Sequence, residues 1–188
     1  MSFLQNGTRF PAISAPKLGG GTLSLPDDLA GFFGVVLFYR GFWCPYCNAQ
    51  LSGFERAKER LANVGVKVVA LSVDDEATTK ELIAKHKISF PIGYGADARA
   101  IAAATGAYLN EDLLYMQSTG FVLAPDGTVV NASIRRRRSD AWWPRTWSAW
   151  FHTSSPRRKR KACCRYENAG LEFVEGISKL RLWREWGN

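Results

Sequence analysis

The sequence is short of cysteine and histidine and has no long apolar run, and each shortage removes a class of protein. Its four cysteines form two close pairs, Cys44 with Cys47 and Cys163 with Cys164, unlike the spread-out framework of a small disulfide-stapled secreted domain. Of its two histidines, only His86 falls in the first 132 residues. The Cys-x-x-Cys pair there therefore lacks the two further ligands of a closed tetrahedral zinc site, and no metal is expected. No stretch approaches the roughly 18 uncharged apolar residues of a membrane helix. Met1 to Phe10 has neither the charged start nor the apolar run of a signal peptide. A soluble, cytoplasmic chain without membrane attachment is expected, and its 188 residues suffice for one domain of ordinary size.

What is in excess is positive charge, a net +8, and it is unevenly spread. Residues 1–132 carry 11 Lys and Arg against 12 Asp and Glu, whereas residues 133–188 carry 14 against 5. Six of the seven tryptophans also lie after residue 132, leaving Trp43 alone before it. The change of composition places a domain boundary at Ser133, with one domain over 1–132 and a basic tail over 133–188. Arg135 to Lys161 contains almost no aliphatic residue to pack, so an irregular, poorly ordered tail is expected. Arg135 to Arg138 and Arg157 to Lys161 could meet phosphates, with Trp142, Trp143, Trp147 and Trp150 stacking on bases. No recognised nucleic-acid module frames them, and charge runs are more often merely solvated, so nucleic acid is not the expected partner. Adjacency strains any disulfide between Cys163 and Cys164, which are read as bystanders.

Upstream of the boundary, apolar β-type runs alternate with helical spacing, the signature of an α/β domain. Two short extended pieces lie in Pro11 to Leu25 around Gly19, Gly20 and Gly21, and Pro26 to Gly31 reads as a turn or one-turn helix. Phe33 to Tyr39 is apolar throughout, as a central strand buried on both faces requires. From Pro45 to Ala62 the residues Leu51, Phe54, Ala57, Leu61 and Ala62 recur at helical steps. Val66 to Val73 predicts a second buried strand. Asp74, Asp75 and Glu76 suit the start of a helix that continues to His86. Ile88 to Gly93, a helix near Asp97 to Ala104, and a hairpin from Gly120 to Val130 complete the pattern. His86 is read as a solvent-side residue and the acidic run as a helix start, so neither is assigned to a site.

The chemistry belongs where the central strand turns into the helix. There, unpaired backbone N–H groups and the positive end of the helix dipole favour thiolate over thiol. A cysteine pKa of about 8.5 falls to roughly 3.5–7.5 in such Cys-x-x-Cys motifs, which makes one sulfur a nucleophile at neutral pH. The spacing of Cys44 and Cys47 puts the second sulfur within one turn, close enough to attack a mixed disulfide or sulfenic acid on the first.

The segment Phe38-Tyr39-Arg40-Gly41-Phe42-Trp43-Cys44-Pro45-Tyr46-Cys47-Asn48-Ala49-Gln50-Leu51 resembles the peroxiredoxin-like branch of the alkyl hydroperoxide reductase/thiol-specific antioxidant family. Leu71 to Asp74, Ser89 to Ile92 and Thr119 to Gly127 extend the resemblance over about residues 10–131. It implies a thioredoxin-like fold, a central mixed β-sheet flanked by helices. It also implies a thiol-dependent antioxidant oxidoreductase that needs no bound cofactor, with thioredoxin or a small thiol as electron donor.

Two assignments of the sulfurs follow from the resemblance. In the register of peroxiredoxins, Cys47 takes the peroxidatic position, Cys44 stands where Thr is expected, and Arg40 stands where Pro is expected. In the register of thioredoxin-like reductases, Cys44 is the exposed nucleophile and Cys47 resolves. Trp43, Pro45 and Tyr46 flank the pair in both. Ser118 stands about where many peroxiredoxins carry a second active-site Arg, and Ser118 or Thr119 where thioredoxin relatives carry a proline beside the site. The leading expectation is hydroperoxide reduction through Cys47 with Cys44 resolving, and the alternative is protein-disulfide reduction led by Cys44. Relatives finish with a helix over the sheet, whereas Ser133 to Lys161 is dominated by Arg, Trp, Ser and Pro. That departure predicts a change of reading frame near Ser133.

Overall fold

The structure is a computed structural model that describes residues 3–134. The expectations for the tail, including its basic clusters, Cys163, Cys164 and the change of frame, lie outside the described residues. The elements run β1 (Ile13–Pro16), β2 (Thr22–Leu25), a 3-10 turn (Asp27–Leu29), β3 (Phe33–Phe38), α1 (Pro45–Asn63), β4 (Val66–Leu71), α2 (Glu76–His86) and β5 (Ile92–Gly93). They continue with α3 (Ala98–Thr105), β6 (Leu109–Asn110), β7 (Tyr115–Met116), β8 (Thr119–Leu123) and β9 (Val129–Ile134). Strand β9 runs two residues past the compositional boundary at Ser133.

Five strands form one mixed sheet in the order β5-β4-β3-β8-β9. Strands β3, β4 and β5 are parallel, while β8 runs antiparallel to β3 and β9 antiparallel to β8. Val36 lies level with Val69 on one side and Phe121 on the other. Because alternate residues face opposite ways along a strand, Val36 and Phe38 share one face with Val69, Leu71 and Phe121. That face packs on Phe10, Leu23, Leu25, Ala98 and Ile101, and Phe121 meets both Phe10 and Phe38 edge-on. Val35, Leu37, Val68 and Ala70 alternate with these residues and are also buried. Helix α1, which packs against β4, buries Leu51, Phe54 and Leu61. This two-sided burial is why β3 reads as an unbroken apolar run. Within it, Gly34 admits Leu29, whose Cδ1 lies only 2.6 Å from where a Cβ would stand.

Helix starts follow the acidic signals. Asp75 caps α2 by accepting from the Thr78 N–H at 2.8 Å, and Asp97 caps α3 by accepting from the N–H groups of Arg99 and Ala100. Two elements differ from expectation. The strand foreseen from Ile88 shrinks to Ile92–Gly93, because Ser89 is drawn off to α1, where its N–H and Oγ donate to the Glu55 carboxylate at 2.8 and 2.5 Å. The β6–β7 hairpin was not foreseen; its arms are two residues each, too short to show a period.

Candidate active site

Strand β3 delivers the chain to the sheet edge at Phe38, and Tyr39 to Trp43 form the turn into α1. The Cys44 N–H donates to Gly41 O at 3.1 Å, closing that turn. Cys44 itself is extended, with φ −90° and ψ 108°, and is the N-cap of α1. Pro45 occupies the first turn of the helix, where its lack of an N–H costs nothing and its fixed φ suits the helix. The Cys44 carbonyl accepts from the Asn48 N–H at 3.0 Å. Its Sγ accepts from the Cys47 N–H at 3.3 Å, so sulfur takes the place usually held by a serine or aspartate oxygen.

Both cysteines are free and buried, so Cys44, at 1% exposure, is not the exposed sulfur that the thioredoxin-like register implies. Their environments differ in sign. The Cys44 thiol is drawn down to about 6, first by a hydrogen bond from the Cys47 side chain, then by the Cys47 backbone N–H, the Arg40 charge and the Tyr46 backbone N–H; burial opposes the shift. The Cys47 thiol is pushed up, first because it shares its proton with Cys44 and second because it is buried. The Arg40 backbone N–H and guanidinium pull Cys47 the other way, though less strongly. Arg40 is 1% exposed and charges the floor of the site.

The remaining sequence candidates fall into two groups. Trp43 and Tyr46 are 53% and 49% exposed, one on each side of Cys44 along the chain. Trp43 rests edge-on against the buried Tyr115, ring centroids 5.1 Å apart. Ser118 and Thr119 instead turn inward. Ser118 Oγ donates to Gln50 Oε1 of α1 at 3.3 Å, and Thr119 Oγ1 donates to Gln117 O at 3.1 Å. Thr119 lies level with Phe38, the residue just before the active-site turn.

Two residues set aside by the sequence reading belong to this neighbourhood. Asp74 is not part of the helix start, where Asp75 is the N-cap and Glu76 the acid of the first turn. Its Oδ2 accepts from the Phe42 N–H at 2.9 Å and from Ser72 Oγ at 3.1 Å, so it reaches across to the active-site turn. Burial raises its carboxyl above the usual range, against hydrogen bonds that lower it. His86 is half-buried, not solvent-side; its Nδ1 lies 3.3 Å from Ser52 Oγ and its ring meets Phe42 edge-on at 6.5 Å. One signal pointed to Asp74: parallel strands end at the same edge of a sheet, so the residues after β4 lie beside those after β3.

A free Cys-x-x-Cys pair at the start of a helix, on a mixed five-stranded sheet, agrees with what known proteins of similar sequence and shape are. The AhpC/TSA family model matches residues 6–132. The chain belongs to this family. The matched stretch stops where the composition changes. Among curated proteins, the thiol-disulfide oxidoreductase ResA of Bacillus cereus is 27% identical over 132 residues, covering 70% of each chain. The same-named protein of Bacillus anthracis is 26% identical over 132 residues, again 70% of each. Among solved structures, Enterococcus faecalis AhpC superposes with a TM-score of 0.67 at 18% identity, covering 81% of this chain and 93% of that one. Peroxidoxin BcpB from Mycobacterium tuberculosis gives 0.62 at 20%, covering 70% and 86%. These matches establish the thioredoxin-like fold of the AhpC/TSA proteins and an oxidoreductase working through thiols. Redox substrates and thiol reductants follow from that membership. Among the described residues, no helix is long and apolar enough to cross a membrane.

Proposed function

We propose that this AhpC/TSA protein is a thiol–disulfide oxidoreductase in which Cys44 attacks and Cys47 resolves. The observation that carries the reading is the Cys47 N–H on Cys44 Sγ at 3.3 Å, which favours the anion on the first sulfur. The Cys44 thiolate attacks one sulfur of a substrate disulfide, forms a Cys44–substrate disulfide and expels the other substrate sulfur as a thiolate. Cys47 then gives up its proton and attacks Cys44 Sγ. A Cys44–Cys47 disulfide forms, and the second substrate thiolate leaves. Of the two protons the substrate thiolates take up, one comes from Cys47 and one from solvent, while the protein gives up two electrons. Thioredoxin or a small thiol returns them. Exposed Trp43 and Tyr46 offer a polypeptide substrate apolar contact beside the sulfur. A dithiol that must be reduced again in every cycle suits a reducing compartment, and the cytoplasm is the proposed location.

Hydroperoxide reduction through Cys47 is the second reading, favoured by the Arg40 backbone N–H and charge that also bear on Cys47. In that cycle Cys47 thiolate takes one peroxide oxygen to become a sulfenic acid while the alkoxide leaves as alcohol. Cys44 then condenses with the sulfenic acid, releasing water. Turnover of an insulin-type disulfide and of hydrogen and organic hydroperoxides, each with a thiol donor, separates the readings. Disulfide turnover abolished by Cys44→Ser, with slow peroxide turnover, supports the first. Fast peroxide turnover lost in Cys47→Ser and kept at its first step in Cys44→Ser replaces it with the second.

A further inference from the structure

Asp74 and Asp75 are adjacent carboxylates with divided work. Asp75 caps α2, as its bond from the Thr78 N–H shows. Asp74 turns back to the motif. Its Oδ2 takes the Phe42 N–H at 2.9 Å, while the Phe42 carbonyl on the far side of the same residue accepts from Asn48 Nδ2 of α1 at 2.8 Å. Phe42 is thereby held between the end of β4 and the first turn of α1.

Asp74 is anchored in its turn. Ser72 Oγ donates to its Oδ2 at 3.1 Å, and its own carbonyl accepts from the Gly95 N–H at 2.7 Å. The approach is made possible by Gly41. A Cβ on Gly41 would stand 2.8 Å from Asp74 Oδ1 and 2.7 Å from Trp43 Nε1, and its φ of +146° is one that side chains rarely adopt. Carboxylate, indole edge and backbone therefore converge on one α-carbon, three residues before Cys44.

We propose that Asp74 is the positioning residue of the active-site turn: it holds the Phe42 peptide, and through it the Gly41–Cys44 segment, in the shape that makes Cys44 the N-cap of α1. The inference rests on the reading of Cys44 as the attacking thiolate. Asp74 touches neither sulfur, and its effect is through the cap. If the turn relaxes, Cys44 Sγ loses the Cys47 N–H and returns toward an ordinary thiol. The titratable groups facing Asp74 are Asp75 and Tyr39, and those facing Cys44 are Cys47 and Arg40.

The test is the pH profile of Cys44 alkylation by iodoacetamide in the reduced full chain, followed by peptide mapping so that Cys44 is read alone. Asp74→Asn keeps an oxygen for the Phe42 N–H and removes the charge, whereas Asp74→Ala removes both. The midpoint should rise by about one pH unit in Asp74→Ala, which is roughly tenfold less thiolate below both midpoints. Asp74→Asn should stay within about twofold of wild type. Ser72→Ala, which removes only the anchor, should shift the midpoint upward by less, and it serves if Asp74→Ala does not fold. An unshifted profile in folded Asp74→Ala or in Ser72→Ala overturns the proposal, as does a loss in Asp74→Asn equal to that in Asp74→Ala. Those failures leave the Cys44 reading standing. A wild-type midpoint at the ordinary thiol value overturns both.

Discussion

The backbone N–H of Cys47 donates to Cys44 Sγ across 3.3 Å, a bond that favours negative charge on the first sulfur. Opposite displacements of the two sulfurs make stability depend on pH in a defined way. Between about pH 6, where folded Cys44 ionises, and about 8.5, where unfolded thiols do, the unfolded chain holds one more proton and stability rises with pH. Above about 8.5 the unfolded chain has lost both protons and the folded one retains that of Cys47, so the contribution reverses. The difference in unfolding free energy between reduced wild type and Cys44→Ser should therefore grow from pH 6 to 8, by on the order of 1–3 kcal/mol, and stop growing above 9. Urea titrations at each pH check this.

Trp43 and Tyr46 stand half-exposed beside the sulfur. Replacing both with alanine should raise KM for a protein disulfide by about tenfold, the loss of roughly 1.4 kcal/mol of apolar contact. Turnover of a small aromatic disulfide in the same variant should change by less than about threefold, since the Cys47 N–H on Cys44 is untouched. Steady-state kinetics on the two substrates checks it.

Gly41 has room for no side chain, with Trp43 Nε1 and Asp74 Oδ1 at 2.7 and 2.8 Å from a Cβ and φ at +146°. Gly41→Ala should cost about 1–3 kcal/mol of stability by strain. It should also slow disulfide turnover, because relief of the clash displaces the groups that shape the turn. Gly65→Ala, also at positive φ but with open space around it, should lose stability without the same loss of turnover. Denaturation midpoints beside activity for the two variants distinguish the site from simple backbone strain.

Much of the fold was legible because its signals are local. The apolar run Phe33 to Phe38 is buried on both faces, and the helical steps of Leu51, Phe54 and Leu61 mark the buried side of α1. Cys44, Pro45 and Cys47 were legible for the same reason: a helix start after a central strand is a short-range pattern. Asp74 was not, since its partner Phe42 is 32 residues away and an acid before a helix has a sufficient local explanation as a cap. His86 was misread likewise, its neighbours Ser52 and Phe42 belonging to other elements. The order of the two sulfurs was also beyond a register argument, because the motif fits two registers. The order proposed here rests on a hydrogen bond of the folded backbone, from the Cys47 N–H to Cys44 Sγ.

The most direct test of that order is to trap the intermediate. Reduced Cys44→Ser and Cys47→Ser proteins are exposed to a peptide disulfide at pH 7, quenched with acid and mapped by mass spectrometry. Cys47→Ser should accumulate a stable mixed disulfide at Cys44, since nothing remains to resolve it, while Cys44→Ser should form one at Cys47 at least tenfold more slowly, because burial still disfavours the Cys47 thiolate after the Cys44 sulfur is gone. Faster capture of the peptide by Cys47 in Cys44→Ser than by Cys44 in Cys47→Ser would contradict the assignment of Cys44 as the attacking sulfur.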